Sequence, residues 1–214
     1  MPLFYYTLID ITGFKAITMK KSIGIFMLIM GLYACTEPSS NQPPAEKTQT
    51  AASDFKQMPN EKTVYVSIEA NSIEENTDLL TAVSTRLLQQ NFDFFEKDSG
   101  TSWSENDCGL NKIVQVKGQG IRSYKAMSKE KLGAEKKIRP DFIILVFAFD
   151  HEQQAEQSYQ MIASAVYSAG GFCNGKSPET IVRNGKEVFY LTTRAEMFRA
   201  YIDDYAKFIQ QYAM

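Results

Sequence analysis

Six consecutive apolar residues, Phe142-Ile143-Ile144-Leu145-Val146-Phe147, lie inside the segment Asp141–Phe149. A strand alternates its side chains between two faces, so an unbroken apolar run demands cover on both. The run is too short to span a bilayer, which takes about 20 residues as a helix. It therefore predicts a strand in the middle of a sheet, with the rest of the fold arranged on either side.

The surrounding elements follow from period and punctuation. Thr63–Ile68 alternates and is rich in β-branched residues, which predicts a strand. Ser72-Ile73-Glu74-Glu75 has the spacing of a capping box. After it, Ile73, Leu80, Val83 and Leu87 share one helical face, ending near Asn91. Phe92, Phe94 and Phe95 suggest a short strand, and the polar residues 97–111 around Trp103 suggest a loop. Ile113–Val116 reads as a strand stopped by Gly118 and Gly120. Residues 121–139 are basic and weakly periodic. Asp150 is placed to cap a helix carrying Ala155, Tyr159, Ile162 and Val166, which ends at Ala169-Gly170-Gly171. Asn184-Gly185 inside Ile181–Tyr190 predicts a hairpin with a type I′ turn. Thr193–Glu196 is a second capping box, before a helix with Phe198, Ile202, Tyr205, Phe208, Ile209 and Tyr212 on one face. Residues 61–214 are thus expected to form a single α+β domain: a mixed β-sheet with helices packed against it, a two-layer sandwich loosely similar to ferredoxin-like folds.

Upstream the chain changes character. Residues 36–60 contain Pro38, Pro43, Pro44 and Pro59 among Ser, Thr, Gln and Asn, with no apolar period. Such a stretch is a flexible tether with an r.m.s. span of roughly 25–30 Å. Before it, MKKSIGIFMLIMGLYACT (19–36) sets Lys20 and Lys21 ahead of an apolar stretch from Ile23 to about Leu32, then small residues and Cys35. That is the layout of a secretory signal. Residues 1–18 do not fit it, and the expected start is Met19.

The quartet Leu32-Tyr33-Ala34-Cys35 resembles the lipobox of bacterial lipoproteins, Tyr33 standing where that family usually has a small or aliphatic residue. The resemblance covers residues 19–36 only. It implies cleavage after residue 34, a diacylglycerol on Cys35 and an acylated new amino terminus. It also implies a membrane-anchored protein of the bacterial envelope. Thr36, in place of the Asp that retains such proteins in the inner membrane of enteric bacteria, favours the outer membrane. The organisation expected is a signal peptide at 1–34, a lipidated cysteine and tether at 35–60, and the folded domain at 61–214.

Composition narrows the chemistry. One histidine in 214 residues argues against most zinc hydrolases, and no metal or cofactor is expected. Gly170–Ser177 matches the phosphate-loop string G-x-x-x-x-G-K-S, but a helix precedes it and Pro178 with a hairpin follows. That inverts the strand–loop–helix order which cradles phosphates, so no nucleotide is expected. Cys108 and Cys173 remain once Cys35 is assigned to the anchor. In an oxidising envelope they are candidates for a disulfide, the alternatives being two free structural thiols or a nucleophile. Asp203-Asp204 reads as solvated surface.

The charge is segregated. Residues 60–111 carry three basic and ten acidic side chains, and residues 112–139 carry nine basic and two acidic. Lys112, Lys117, Arg122, Lys125, Lys129, Lys131, Lys136, Lys137 and Arg139 are the candidate contacts for an anionic envelope partner, protein or polymer. The competing reading neutralises them against the acidic first third of the domain. Tyr124 is the only aromatic among them, so nucleic acid is not expected. The function these signals point to is a non-enzymatic binding or scaffold module on a lipid anchor. An envelope hydrolase with a carboxylate or thiol site, or an inhibitor or immunity-type lipoprotein, stands as the alternative.

Overall fold

The computed structural model describes residues 58–98, 100–133, 137–168 and 177–213. Expectations for the signal peptide, Cys35, most of the tether, Lys136, the glycine-rich string up to residue 176 and Cys173 lie outside the described residues. Those described all fall within one compact unit, Gln49–Met214. Its elements are β1 (Val64–Glu69), α1 (Thr77–Gln89), β2 (Phe92–Lys97), β3 (Ser102–Asp107), β4 (Lys112–Lys117), β5 (Ile121–Ser128), β6 (Asp141–Ala148), α2 (Glu152–Val166), β7 (Glu179–Asn184), β8 (Glu187–Thr192) and α3 (Arg199–Gln211). A 3₁₀ turn at Glu196–Phe198 leads into α3.

The fold is α+β, with helices against sheets. The strands divide between a mixed three-stranded sheet, β1-β4-β3, and an antiparallel five-stranded sheet, β2-β5-β6-β8-β7. β1 and β2 flank α1 yet belong to different sheets, so this stretch builds no ferredoxin-like β-α-β unit. β6 is the middle strand of five. Phe142, Ile144 and Val146 point into a core with Leu79, Val83 and Leu87 of α1 and Ile202, Tyr205 and Ile209 of α3. On the opposite face Phe147 packs with Ala155, Ile162 and Ala165 of α2 and with Ile68, Val114 and Val116 of the smaller sheet. The layers are therefore three: α1 and α3, the large sheet, then α2 beside the small sheet. Each fully buried Leu, Ile or Phe contributes about 1.5–3 kcal/mol.

Local signals account for most elements, with instructive departures. α1 is capped by Asn76, whose Oδ1 accepts from Leu79 N at 3.1 Å; Ser72 instead turns the preceding loop by accepting from Glu74 N. Ile73, expected on the helical face, is 78% exposed ahead of the helix. α2 begins after His151 without a side-chain cap, so Asp150 does not serve. Thr193 does not cap α3; its hydroxyl donates to Asp141 O at 2.7 Å. The hairpin turn is Gly185-Lys186, with Asn184 paired to Glu187 as a strand residue and only Gly185 at positive φ (54°) among the pair Asn184-Gly185. The Asn184 side chain serves the neighbouring helix instead. Its Nδ2 donates to Ile209 O and Tyr212 O, both at 2.8 Å, closing the end of α3.

Two strands come from segments without a strand signal. β3 lies in the stretch expected to be a loop, and β5 in the weakly periodic basic stretch. β3 is a polar edge strand fixed by Trp103, whose ring lies 5.3 Å from Phe147 and 5.2 Å from Tyr190. β5 sits inside the large sheet, with Arg122 and Lys125 engaged by carboxylates that the local sequence does not reveal.

Candidate functional site

Among the described residues, three of the nine basic candidates pair with carboxylates. Lys129 lies 3.2 Å from Asp93, and Lys125 lies 3.6 Å from Asp141. Arg122 points inward: its side chain is only 13% exposed and its Nη2 meets Glu187 Oε1 at 2.5 Å. Arg122 is therefore no surface contact. Lys112 and Lys117 stand at the two ends of β4 in the small sheet, while Lys131, Lys137 and Arg139 lie in the exposed connection between β5 and β6. The structure scatters these charges over separate surfaces, and Lys125 lines a recess.

That recess, about 260 Å³, is lined by Lys97, Lys125, Asp141, Ser177, Thr192 and Arg194. Register explains it. Lys97 pairs with Ser123 across β2 and β5, and Lys125 lies two residues further along β5, so both lysines stand diagonally on one face. Asp141 is the single carboxylate among three cations. Its Oδ2 faces Lys125 and its Oδ1 faces Arg194 Nε at 2.9 Å. Arg194 is held further by donating from Nη2 to Arg139 O at 2.8 Å. With one carboxylate to three cations, the recess keeps a positive surplus. Lys97 and Arg194 were not among the sequence candidates, because they lie outside the basic segment and only strand pairing brings them to it.

The opposite end of β6 and β8 carries the reverse charge. Ile143 pairs with Thr192 and Ala148 with Glu187, so the two ends stand about 17 Å apart along the strand. Here Glu74, Glu75, Glu152, Lys186 and Glu187 line a cleft of about 200 Å³. Glu75 Oε1 accepts from Tyr124 OH at 2.5 Å and lies 3.7 Å from Arg122 Nε. Burial pushes the Glu187 carboxyl above its ordinary value, against the pull of Arg122, and burial with the Glu75 partner raises the Tyr124 phenol. This corner is tightly built: at Gly120 a Cβ would stand 2.7 Å from the carbonyls of Ser72 and Ala148 and 2.8 Å from that of Ala70. Glycine is the residue that lets the β1–α1 and β4–β5 loops meet the end of β6 under the cleft. The sequence carries no sign of Glu187, a glutamate in a hairpin with a charged neighbour on its turn.

Cys108 is buried and disulfide-bonded, while Cys173 lies outside the described residues. Of the phosphate-loop string only Ser177 is described, at the edge of the basic recess. Asp204 is not merely solvated; it pairs with Arg86 at 2.6 Å, and that guanidinium also covers the ring of Phe208. Among the described residues no helix is long and apolar enough to cross a membrane. Comparison with family models, with curated proteins and with solved structures gives no match.

Proposed function

We propose that this chain is a lipid-anchored bacterial envelope protein, held at the outer membrane through Cys35. Its α+β domain is a binding module that takes an anionic group of another envelope component in the Lys97–Lys125–Arg194 recess. The anchor rests on the lipobox-like quartet ending at Cys35 and the proline-rich tether behind it. The binding role rests on one observation: three cations and a single carboxylate line the same recess. Such a site attracts anions and accelerates their encounter.

The test is a crosslinking capture from the native envelope with the full lipidated chain, followed by mass spectrometry. Wild type is expected to bring down one anionic partner, and K97Q/K125Q/R194Q about tenfold less of it, with an unchanged circular dichroism spectrum. Equal capture by the triple variant overturns the recess assignment. For the anchor, fatty-acid labelling of wild type and its loss in Cys35→Ala is the expected pair; labelling retained in C35A, or absent from wild type, overturns it.

A further inference from the structure

At the cleft by the Ala148 end of β6, one oxygen of a buried carboxylate lacks a donor among the described residues, while Nε of the arginine behind it lacks an acceptor. Glu187 is 4% exposed, and its Oε1 takes the bond from Arg122 and a longer one, 3.4 Å, from Asn76 N. Its Oε2 is buried and has no hydrogen-bond partner among the described residues. Buried carboxylate oxygens in folded proteins are nearly always bonded, because an unmet acceptor loses its water with nothing in return. Glu187 also lines the cleft, beside Glu74, Glu75 and Glu152. Lys186 is the single cation of the lining, and it leans toward Glu74 at 3.4 Å.

We propose that this cleft binds the protonated amine of a small ligand, its N–H groups donating to Glu187 Oε2 and its charge facing Glu75 and Glu152. An ammonium brings three donors and one positive charge, which is what a carboxylate-rich lining with an unmet oxygen accepts. The described residues contain no group of three acidic, histidine or cysteine side chains placed to hold a metal ion, so the amine is the matching cation. At about 200 Å³ the cleft is smaller than the ~300–1,000 Å³ typical of drug-sized ligands, and fits a head group. The site lies at the other end of β6 from the basic recess and stands or falls independently of it.

Calorimetric titration of the full chain tests this, with glucosamine and 1,4-diaminobutane as amine probes and glucose as the uncharged control. Saturable binding of at least one amine, about tenfold or more tighter than glucose, is expected. Glu187→Gln is expected to abolish it. Because that variant removes the charge opposing Arg122, Glu152→Gln at the exposed rim serves as a second variant, expected to weaken the amine about threefold or more. Binding of glucosamine alone assigns the cleft to amino sugars, and binding of both amines assigns it to alkylammonium groups in general; either supports the proposal. Glucose binding as well as glucosamine, no amine binding up to about 10 mM, or amine affinity unchanged in E152Q and E187Q overturns it.

Discussion

Arg122 and Glu187 meet across a strand to which neither belongs. Arg122 is on β5, Glu187 on β8, and β6 runs between them, yet Nη2 and Oε1 approach to 2.5 Å. Two strand spacings amount to about 9.6 Å. The residue of β6 opposite Glu187 is Ala148, whose methyl group leaves the two long side chains room to close over it. Because both are largely buried, removing one partner strands a charge. Arg122→Ala is expected to destabilise the domain by about 3–5 kcal/mol, and replacing both residues by methionine by much less. Denaturant unfolding of the two variants checks the difference.

Glu105 of β3 supplies a pH dependence. Burial, and then the nearby Glu179 carboxylate, push its carboxyl up to about 7. A carboxyl with a raised folded-state pKa favours the folded state while it is protonated in both states. That contribution is complete below its ordinary value of 4.5 and is lost as pH rises through 7. Thermal melts are expected to show stability falling between those two pH values. Glu105→Gln is expected to flatten the slope; a slope unchanged in E105Q would assign it to other groups.

The disulfide of Cys108 predicts a partner. If Cys35 carries the proposed anchor, Cys173 is the cysteine left, and a non-reducing digest is then expected to return the 108–173 pair. Closing a loop of 65 residues, the bond is expected to contribute about 2–4 kcal/mol. Cys108→Ser should lower the denaturation midpoint accordingly, and reduction of the wild type should have the same effect.

Glycines separate crowding from backbone strain. Gly120→Ala drives a methyl group against three backbone carbonyls and is expected to cost about 1–3 kcal/mol. Gly100→Ala meets nothing within 4 Å, and only its φ of +64° opposes the change, so about 1 kcal/mol is expected. Unfolding curves that rank the two variants the other way would contradict the convergence of loops at Gly120.

Asn184→Ala removes both side-chain bonds to the carbonyl end of α3, at Ile209 and Tyr212. A loss of about 1–2 kcal/mol is expected, together with faster amide exchange confined to the last turn of the helix.

How far the sequence carries the fold depends on where each element's stabilisation originates. The β6 run showed its central position because an apolar residue needs cover whichever face it occupies. The periodic faces of α1, α2 and α3 were legible for the same reason. β3 and β5 were not, since β3 is polar and held by one tryptophan, and β5 hides its period behind Arg122 and Lys125. Their stabilising partners, Glu187 and Asp141, lie 65 and 16 residues away, beyond the reach of any local window. Caps failed at the same scale: Ser72 and Thr193 have the right spacing but are drawn into loop and strand contacts. Of the basic recess, Lys125 was legible and Lys97 and Arg194 were not, because proximity across strands is a property of register.

β1 is an edge strand that runs parallel to β4, and its register partners lie 48 residues downstream, Val64 against Lys112. Parallel pairing gives it no neighbouring hairpin to close first. During synthesis at about 5–20 residues per second, its hydrogen-bonding edge therefore waits roughly 2–10 s for β4 to emerge. Tyr65 and Val64 remain more than half exposed even in the finished domain. Until β4 arrives, the β1 edge of a newly made chain stays open to capture by a chaperone or by another copy of itself.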